Sequence, residues 1–365
     1  MAGAVPYFRR ASPPRGQTRE RTLRIVVLHG ATAERPDELD TLRTAEAVRD
    51  ALTALGHTAE LAHLAPDLAA LEALRMRRPD LVFNLVEAIG GQGRLIHLAT
   101  ALLDSMAVPY TGCRTEAMFL TSHKPLAKRM MAQAGIETPA WIDPDRLGGT
   151  KVPFSGPYIV KSVWEHASIG LDQESIVSDP RRLGEIARKR RRTMGGEWFA
   201  EAFVDGREFN VSVIAGPRGP EVLPPAEMRF IDFPADKPRI VDYSAKWDED
   251  SFEYKNTVRS FELEPGDGLL VQRIAERAKA CWRLFGLSGY ARVDFRVDAA
   301  GTPYVLEINA NPCISPDGGL VAAAGRAGLS QVDLVSRIVA DAGVGRMERR
   351  LVARAAQPDE ILARA

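Results

Sequence analysis

Apolar residues recur along this chain in two rhythms, and the first hundred residues alternate between them. TLRIVVLHG (22–30) is a nearly unbroken apolar run ending at a glycine, the pattern of a strand buried on both faces. Leu39, Leu42, Ala45, Val48, Leu52 and Leu55 follow at helical spacing, and Gly56 supplies the stop. TAELAHL predicts a second strand, residues 68–76 a short helix, and DLVFNLV a third strand. A helix over 94–106 leads to a fourth strand at VPYTG. Strands alternating with helices imply a parallel sheet covered on both faces. Ligands of such sheets gather beyond the carboxyl ends of the strands. Here those ends carry the loops HGATAER, NLVEAIGGQG and YTGC.

Beyond residue 121 the rhythm changes. Ser122 to Gly135 predicts a helix, with serine at its start and glycine past its end. PAWI and PYIVKSVWEHASIG predict strands, and GEWFAEAFVDGREFNVSVIAG alternates on either side of Asp205-Gly206, a hairpin signal. LPPAEMRFID adds another strand, a helix covers 269–284, and ARVDFRV and PYVLEIN form a hairpin around DAAGT. Residues 316–340 are largely helical. The fold class is therefore an α/β N-terminal domain with a parallel sheet, followed by α+β domains built on antiparallel sheets. The expected boundaries are a tail over 1–21, the N-terminal domain over 22–120, a small subdomain over 121–200, a C-terminal subdomain over 201–340 and a helical tail over 341–365.

The closing hairpin carries the chemistry. Arg292, Asp294 and Arg296 share one face of its first strand, and Glu307 and Asn309 share one face of its second. Two carboxylates and an amide oxygen are hard ligands of the kind Mg²⁺ takes, with water and phosphate completing its shell. An arginine beside them is a natural clamp for a phosphoryl group. A solvated hairpin face with a cross-strand ion pair has the same alternation, so the pattern alone leaves both readings open.

Composition narrows the classes. With 48 Lys+Arg against 48 Asp+Glu, bulk charge gives no reason to expect nucleic acid or an anionic membrane as partner. No apolar run reaches the length of a membrane span. Cys113, Cys281 and Cys313 are far apart and odd in number, so a reducing cytoplasm fits better than a disulfide framework. The first 21 residues are Arg-rich without an apolar signal core, and the expectation is a disordered basic tail. RKRRRT (188–193) is expected to be a solvated helix end or loop.

Several cations join the hairpin in a fixed order: Lys124 at a helix start, Lys161 on a strand before the small-residue loop EHASIG, and Lys246 after DYSA. Lysines interleaved with exposed backbone N–H groups neutralise polyphosphate. The ordered set VFNLV, VPYTG, HKPLAKRMMAQAGIETPAW, YIVKSVWEHASIGL, EAFVDGREFNVSVI, LPPAEMRF, VDYSAKW, YARVDF and YVLEINANP resembles the ATP-grasp superfamily, and within it the D-alanine–D-alanine ligases. The resemblance runs from about Leu23 to Ala340. It implies that the antiparallel sheets sandwich ATP. It also implies that a carboxylate is phosphorylated and that a second substrate's amine attacks the acyl-phosphate.

On this resemblance Lys124 and Lys161 hold the α- and β-phosphates, with Ser168 in the phosphate loop. Glu201, Ala202 and Val204 form the adenine hinge, and Glu208 binds the ribose. Lys246 reaches the terminal phosphates. Asp294, Glu307 and Asn309 hold two Mg²⁺, with Mn²⁺ as a substitute. Arg292 steadies the transferring group, and Glu34 meets the first substrate's ammonium. EHASIG and the segment around DYSAKW are candidate lids, with Gly170 as one pivot. The substrates are expected to be small amino acids or amines, and the resemblance makes a homodimer through the N-terminal domain plausible. A nucleotide-binding module that kept the fold and lost the reaction is the alternative; the intact Arg292/Asp294/Glu307/Asn309 set speaks against it.

The chain departs from the family pattern at the substrate end. Glu87-Ala88 stand where the family usually has His-Gly, and Gly91 replaces an acid. His166-Ala167-Ser168 replace Gly-Ser-Ser, Trp247 a tyrosine, Cys313 a glycine and Gly318-Gly319 a Ser-Leu pair. These changes are either drift within a D-alanine ligase or the mark of another substrate, and the second reading is favoured. Asp317 either meets a substrate cation or, with Ser315-Pro316, starts a helix. Cys313 has no neighbouring histidine, and the acyl-phosphate route needs no thiol.

Overall fold

The computed structural model describes residues 21–30, 36–67, 69–148 and 152–343. Most of the predicted basic tail, and the helical tail from 344 onward, lie outside these residues.

The N-terminal part is built from β1 (Arg24–Gly30), α1 (Pro36–Ala54), β2 (Thr58–Leu64), α2 (Ala69–Arg77), β3 (Leu81–Leu85) and α3 (Ile96–Ser105). The strands form a parallel sheet in the order β2-β1-β3. Their apolar run has the cause expected from sequence. Ile25 and Val27 pack into one core with α1, while Val26 and Leu28 pack into another with Leu74, Ala99 and Leu103. The expected fourth strand at VPYTG is reduced to one parallel bridge, Val82 to Tyr110.

The helix expected over 122–135 is present as α5 (Lys124–Gln133), and a further, unexpected helix, α4 (Thr115–Ser122), precedes it. The break falls at His123, whose backbone leaves the helical region and whose Nδ1 accepts the Leu126 N–H at 3.1 Å. Histidine is thus the cap, not Ser122, and Lys124 becomes the first residue of α5.

Next come β4 (Trp141–Ile142), β5 (Tyr158–Ser162), β6 (Ile176–Val177), α6 (Leu183–Met194) and β7 (Trp198–Ala202). Their strands make an antiparallel sheet in the order β4-β7-β5-β6. The RKRRRT run lies in α6, with Arg188, Lys189, Arg191 and Arg192 exposed as expected. Arg190 departs from that reading. It is buried, meets Asp172 at 2.6 Å and lies over the Trp198 ring.

The largest sheet contains β8 (Arg207–Gly216), β9 (Gly219–Val222), β10 (Ala226–Phe230), then, after α7 (Tyr243–Trp247) and α8 (Phe252–Asn256), β11 (Thr257–Ser260). Helix α9 (Gly268–Leu284) leads to β12 (Tyr290–Val297) and β13 (Pro303–Asn309), and α10 (Gly319–Arg326) and α11 (Gln331–Asp341) close the described chain. The strand order is β11-β10-β8-β12-β13, with β9 on β8. The predicted hairpin of β12 and β13 is present, antiparallel, with Asp294 opposite Glu307 and Arg292 opposite Asn309.

The hairpin expected at Asp205-Gly206 is absent, because β7 and β8 belong to different sheets. That stretch is instead the crossing between them. A Cβ at Gly206 would lie 2.0 Å from the Val297 carbonyl oxygen, so glycine is required by the close passage of two backbones rather than by a turn. The crossing leaves a cleft between the four-stranded sheet and the large sheet.

Candidate active site

The β12–β13 hairpin presents Arg292, Asp294, Glu307 and Asn309 on one face, as the alternation predicts. Arg292 grips both Asp294 oxygens at 2.8 and 2.9 Å, and Asn210 Nδ2 donates to Asp294 Oδ1 at 2.9 Å. Asn309 Oδ1 accepts the Asn311 N–H at 3.0 Å. The pairing slips by one residue just beyond Asp294, a bulge not visible in the alternation. It lets Leu306 and Glu307, neighbours in sequence, line the same cleft.

This face lies where two cavities meet. Asp294 and Glu307 line the cleft between the sheets. Arg292 and Asn309 line a second cavity of about 550 Å³, and Lys246 and Asn210 border both. The cleft also gathers Lys124, Lys161, Ser168, Glu201, Ala202, Val204 and Glu208, so residues far apart in sequence converge as expected. Glu34 lies outside the described residues.

Charge in the cleft is arranged in buried sets. Glu201 of β7 is almost wholly buried and meets two ammoniums, Lys128 at 2.5 Å and Lys161 at 3.2 Å. Burial opposes its charge, yet these two lysines hold the carboxyl below its usual range. Lys124 Nζ donates to the Glu165 carbonyl at 2.6 Å and stands 3.5 Å from Glu307. Burial would raise the Glu307 carboxyl, but Lys124, Lys161, His166 and Lys246 hold it well below the usual carboxylate range. Burial depresses Lys246, and the neighbouring Arg292 depresses it further. Glu208 is pushed upward by burial and pairs with Arg296 at 2.8 Å.

Lys128, Asn210 and Arg296 have structural parts that the sequence reading does not assign. Their signals are local. Lys124 and Lys128 stand four apart on α5. Asn210 and Glu208 alternate on β8, opposite Asp294 and Arg296.

Asp294, Glu307 and Asn309 suit a divalent cation that keeps part of its shell for phosphate and water. They offer two carboxylates and one amide oxygen, and the oxygens already bonded retain a further lone pair. Among the described residues no group of three or more His, Cys, Asp or Glu forms an all-protein cage.

The two expected lids touch one another. Trp247 Nε1 donates to the Ala167 carbonyl at 3.1 Å, Ser168 Oγ to the Val241 carbonyl at 2.7 Å, and the Tyr243 N–H to the Leu171 carbonyl at 3.0 Å. Ala167 and Ser168 both adopt positive φ, as does Gly170 at φ 73°. A Cβ on Gly170 would meet the Trp198 ring at 2.5 Å.

The positions that depart from the family pattern border the second cavity. Glu87, Ala88 and Gly91 line it from the N-terminal loop; His166, Ala167 and Trp247 from the lids. Cys313, Gly318 and Gly319 line it from the segment after β13. Cys313 Sγ donates to Asp40 Oδ2 at 2.9 Å, and burial together with Glu87 and Asp40 pushes the thiol up to about 12. It is a protonated donor, which agrees with its having no nucleophilic part. Asp317 does not start a helix: α10 begins at Gly319 with Gly318 as its cap. The Asp317 carboxylate is exposed, 3.8 Å from Arg43.

Residues 133–340 match the family described as D-ala D-ala ligase C-terminus. The chain is 30% identical over 322 residues to a D-alanine–D-alanine ligase of Anaeromyxobacter sp. (strain K), covering 87% of this chain and 96% of that one. It is 31% identical over 317 residues to the D-alanine–D-alanine ligase of Methylococcus capsulatus, covering 86% and 94%. Its fold is that of the Bacillus anthracis D-alanine–D-alanine ligase solved with ATP, at TM-score 0.68 and 21% identity over 90% of this chain and all of that one. On the length and strength of these matches the chain belongs to the D-alanine–D-alanine ligase family, ATP-grasp enzymes that form C–N bonds and release ADP.

Proposed function

We propose that this ligase joins two amino acids other than a pair of D-alanines, with ATP in the cleft and both amino acids in the second cavity. The position of the β12–β13 face at the junction of the two spaces supports the ligase part of this reading, and the departures Glu87, His166, Trp247, Cys313 and Gly318-Gly319 that line the second cavity support the substrate part. A phosphoryl group leaving a nucleotide on one side finds a carboxylate oxygen on the other. Ile159, Leu171, Phe203, Ile240 and Leu306 give the cleft apolar walls suited to a purine between the sheets. Glu201, Ala202 and Val204 edge the base, Glu208 meets the ribose, and Lys124, Lys161, Lys246 and the Ser168 loop neutralise the phosphates. Asp294, Glu307 and Asn309 would hold two divalent ions, Mg²⁺ or Mn²⁺, which would supply charge neutralisation at the terminal phosphates.

The donor's carboxylate oxygen bonds to the γ-phosphorus as the bond to ADP breaks. The acceptor's amine nitrogen then bonds to the acyl carbon, phosphate departs, and the nitrogen loses a proton. Arg292, fixed by Asp294, faces the charge that passes through both steps. The closed lids keep water from the acyl-phosphate. Glu34 is assigned to the donor's ammonium. Dimerisation through the N-terminal domain and a cytoplasmic setting, in keeping with three free cysteines, complete the reading.

The second cavity carries charged groups at separate places along its wall. Asp40 and Glu87 stand at the Cys313 end and Arg259 at the Gly319 end, with Arg292 near both. Two amino acids placed head to tail match this order, the donor ammonium at the acids and the acceptor carboxylate at the arginine. The test is ADP and phosphate release measured across amino-acid pairs. Turnover of a pair containing another amino acid above that of D-alanine alone supports the reading. Best turnover with D-alanine alone assigns the standard activity and overturns it.

A further inference from the structure

The acceptor end of the second cavity holds a charged group that neither the sequence reading nor the phosphoryl chemistry uses. Arg259 lies on β11, the edge strand of the large sheet. Its Nη1 donates to the Asp317 backbone carbonyl at 3.1 Å, which fixes the guanidinium without neutralising it. A Cβ on Gly319 would touch Arg259 Nε at 3.8 Å, an ordinary contact, so the guanidinium lies against the start of α10. Burial and the neighbouring charge of Arg292 both work against the Arg259 cation, while Asp317 supports it only partly. A cation held between a backbone carbonyl and a second arginine is set to receive an anion.

The wall beside it is apolar. Met228 of β10, Trp247 of α7 and Tyr254 of α8 line the same cavity, Met228 sits opposite Arg259 in the sheet, and Tyr254 is 39% exposed. A methyl side chain would leave most of that wall in water.

We infer that the acceptor is an α-amino acid with an apolar side chain larger than methyl, its carboxylate held by Arg259 and its side chain laid against Met228, Trp247 and Tyr254. The inference rests on the ligase reading above and narrows its second substrate. Arg259 is a specificity residue in this account. It touches the substrate's far end and leaves the reacting nitrogen free to face Arg292. Its fork geometry matters as well as its charge, because a carboxylate is met by two parallel N–H groups.

The test fixes one donor that turns over and varies the acceptor. Alanine, leucine and phenylalanine, each as both enantiomers, are compared by ADP release, together with phenethylamine, which is phenylalanine without its carboxylate. Leucine or phenylalanine should exceed alanine in kcat/KM by about 10-fold or more, the scale of apolar-pocket discrimination. Phenethylamine should fall roughly 10²-fold below phenylalanine, the scale for an unpaired polar site. Arg259→Ala should close that gap by slowing the amino acid alone, with the KM for ATP unchanged; Arg259→Lys should fall between. If ADP is released but alanine is preferred, or Arg259→Ala slows amine and amino acid equally, the acceptor inference is overturned and the ligase reading stands. If no pair releases ADP, the ligase reading fails and takes this inference with it.

Discussion

At the scale of single residues the site is decided by which charges are fixed and which are only tolerated. Arg292 is fixed, with two bonds to Asp294 and a place on the face between the two cavities. Arg292→Ala is expected to lower kcat on the order of 10²–10³-fold while leaving ATP affinity modestly changed, because its proposed partner is charge that develops during transfer. Steady-state kinetics with nucleotide binding measured separately checks this, and a loss confined to ATP affinity would contradict it. His166 is a tolerated group. Burial, then the Lys124 ammonium, push its imidazole down to about 3 from 6.5, and its Nδ1 is buried without a hydrogen-bond partner among the described residues. The folded value lies below the unfolded one, so the unfolded chain binds the extra proton as pH drops below about 6.5. His166 therefore contributes stability that is complete above that pH and is lost as pH falls toward 3, with a slope approaching ~1.4 kcal/mol per pH unit. His29, His97 and His123 are depressed by burial in the same direction, so the comparison must be differential. His166→Gln should flatten the fall in urea-unfolding free energy between pH 6.5 and 5; identical slopes in variant and parent would reject the account.

At the scale of elements, the working part is the pair of loops that meet over the cleft. Their contact uses the Trp247 N–H and the Ser168 hydroxyl, each donating to a backbone carbonyl, with Gln173 Nε2 donating to Asp242 Oδ2 at 2.9 Å beside them. Trp247→Phe keeps the ring and removes the donor. One neutral hydrogen bond is worth about 0.5–1.5 kcal/mol, enough to raise the open fraction several-fold. The expected result is a higher ratio of ADP to amide product, because water reaches the acyl-phosphate; a ratio unchanged from the parent would show that this bond does not hold the lids. The same elements show what was legible beforehand. The β12–β13 face could be read because a period of two places side chains without knowledge of their neighbours. The spacing places the start of α5 one residue early, at Ser122, since a histidine cap is uncommon, and leaves α4 before it unread. Asp205-Gly206 misled for a physical reason: the glycine serves a close passage against Val297, and a dipeptide does not reveal whether its flanking strands pair with each other. Arg259 was silent because its part depends on the neighbouring Gly319 and on an apolar wall drawn from three elements.

At the scale of the whole molecule, the sheets differ in how they are joined. The parallel sheet shares one apolar core with α10, α11 and residues Ile214, Leu223 and Tyr290 of the large-sheet region. The four-stranded sheet has a core of its own, from Ile142 to Ala200, and shares no apolar cluster with the large sheet among the described residues. It is tied to the rest by polar contacts at the cleft and by the Trp164 ring against Phe119 and His123. Lys128 of α5, whose neighbours Ala127 and Met131 sit in the large-sheet core, reaches Glu201 of β7, and Lys124 reaches the Glu165 carbonyl. Apolar clusters cooperate in opening, so the smaller sheet should open as a separate unit at lower free energy. Native-state hydrogen exchange is expected to show β5 and β7 less protected than β8 and β12 in the absence of nucleotide. Opening of that unit also destroys the cleft. A non-hydrolysable ATP analogue with Mg²⁺, held at 100 times its Kd, should therefore slow exchange in β5 and β7 about 10²-fold, equivalent to roughly 2.7 kcal/mol. Equal protection of all four strands before nucleotide is added would mean that the buried lysine–glutamate set joins the sheets as firmly as an apolar core does.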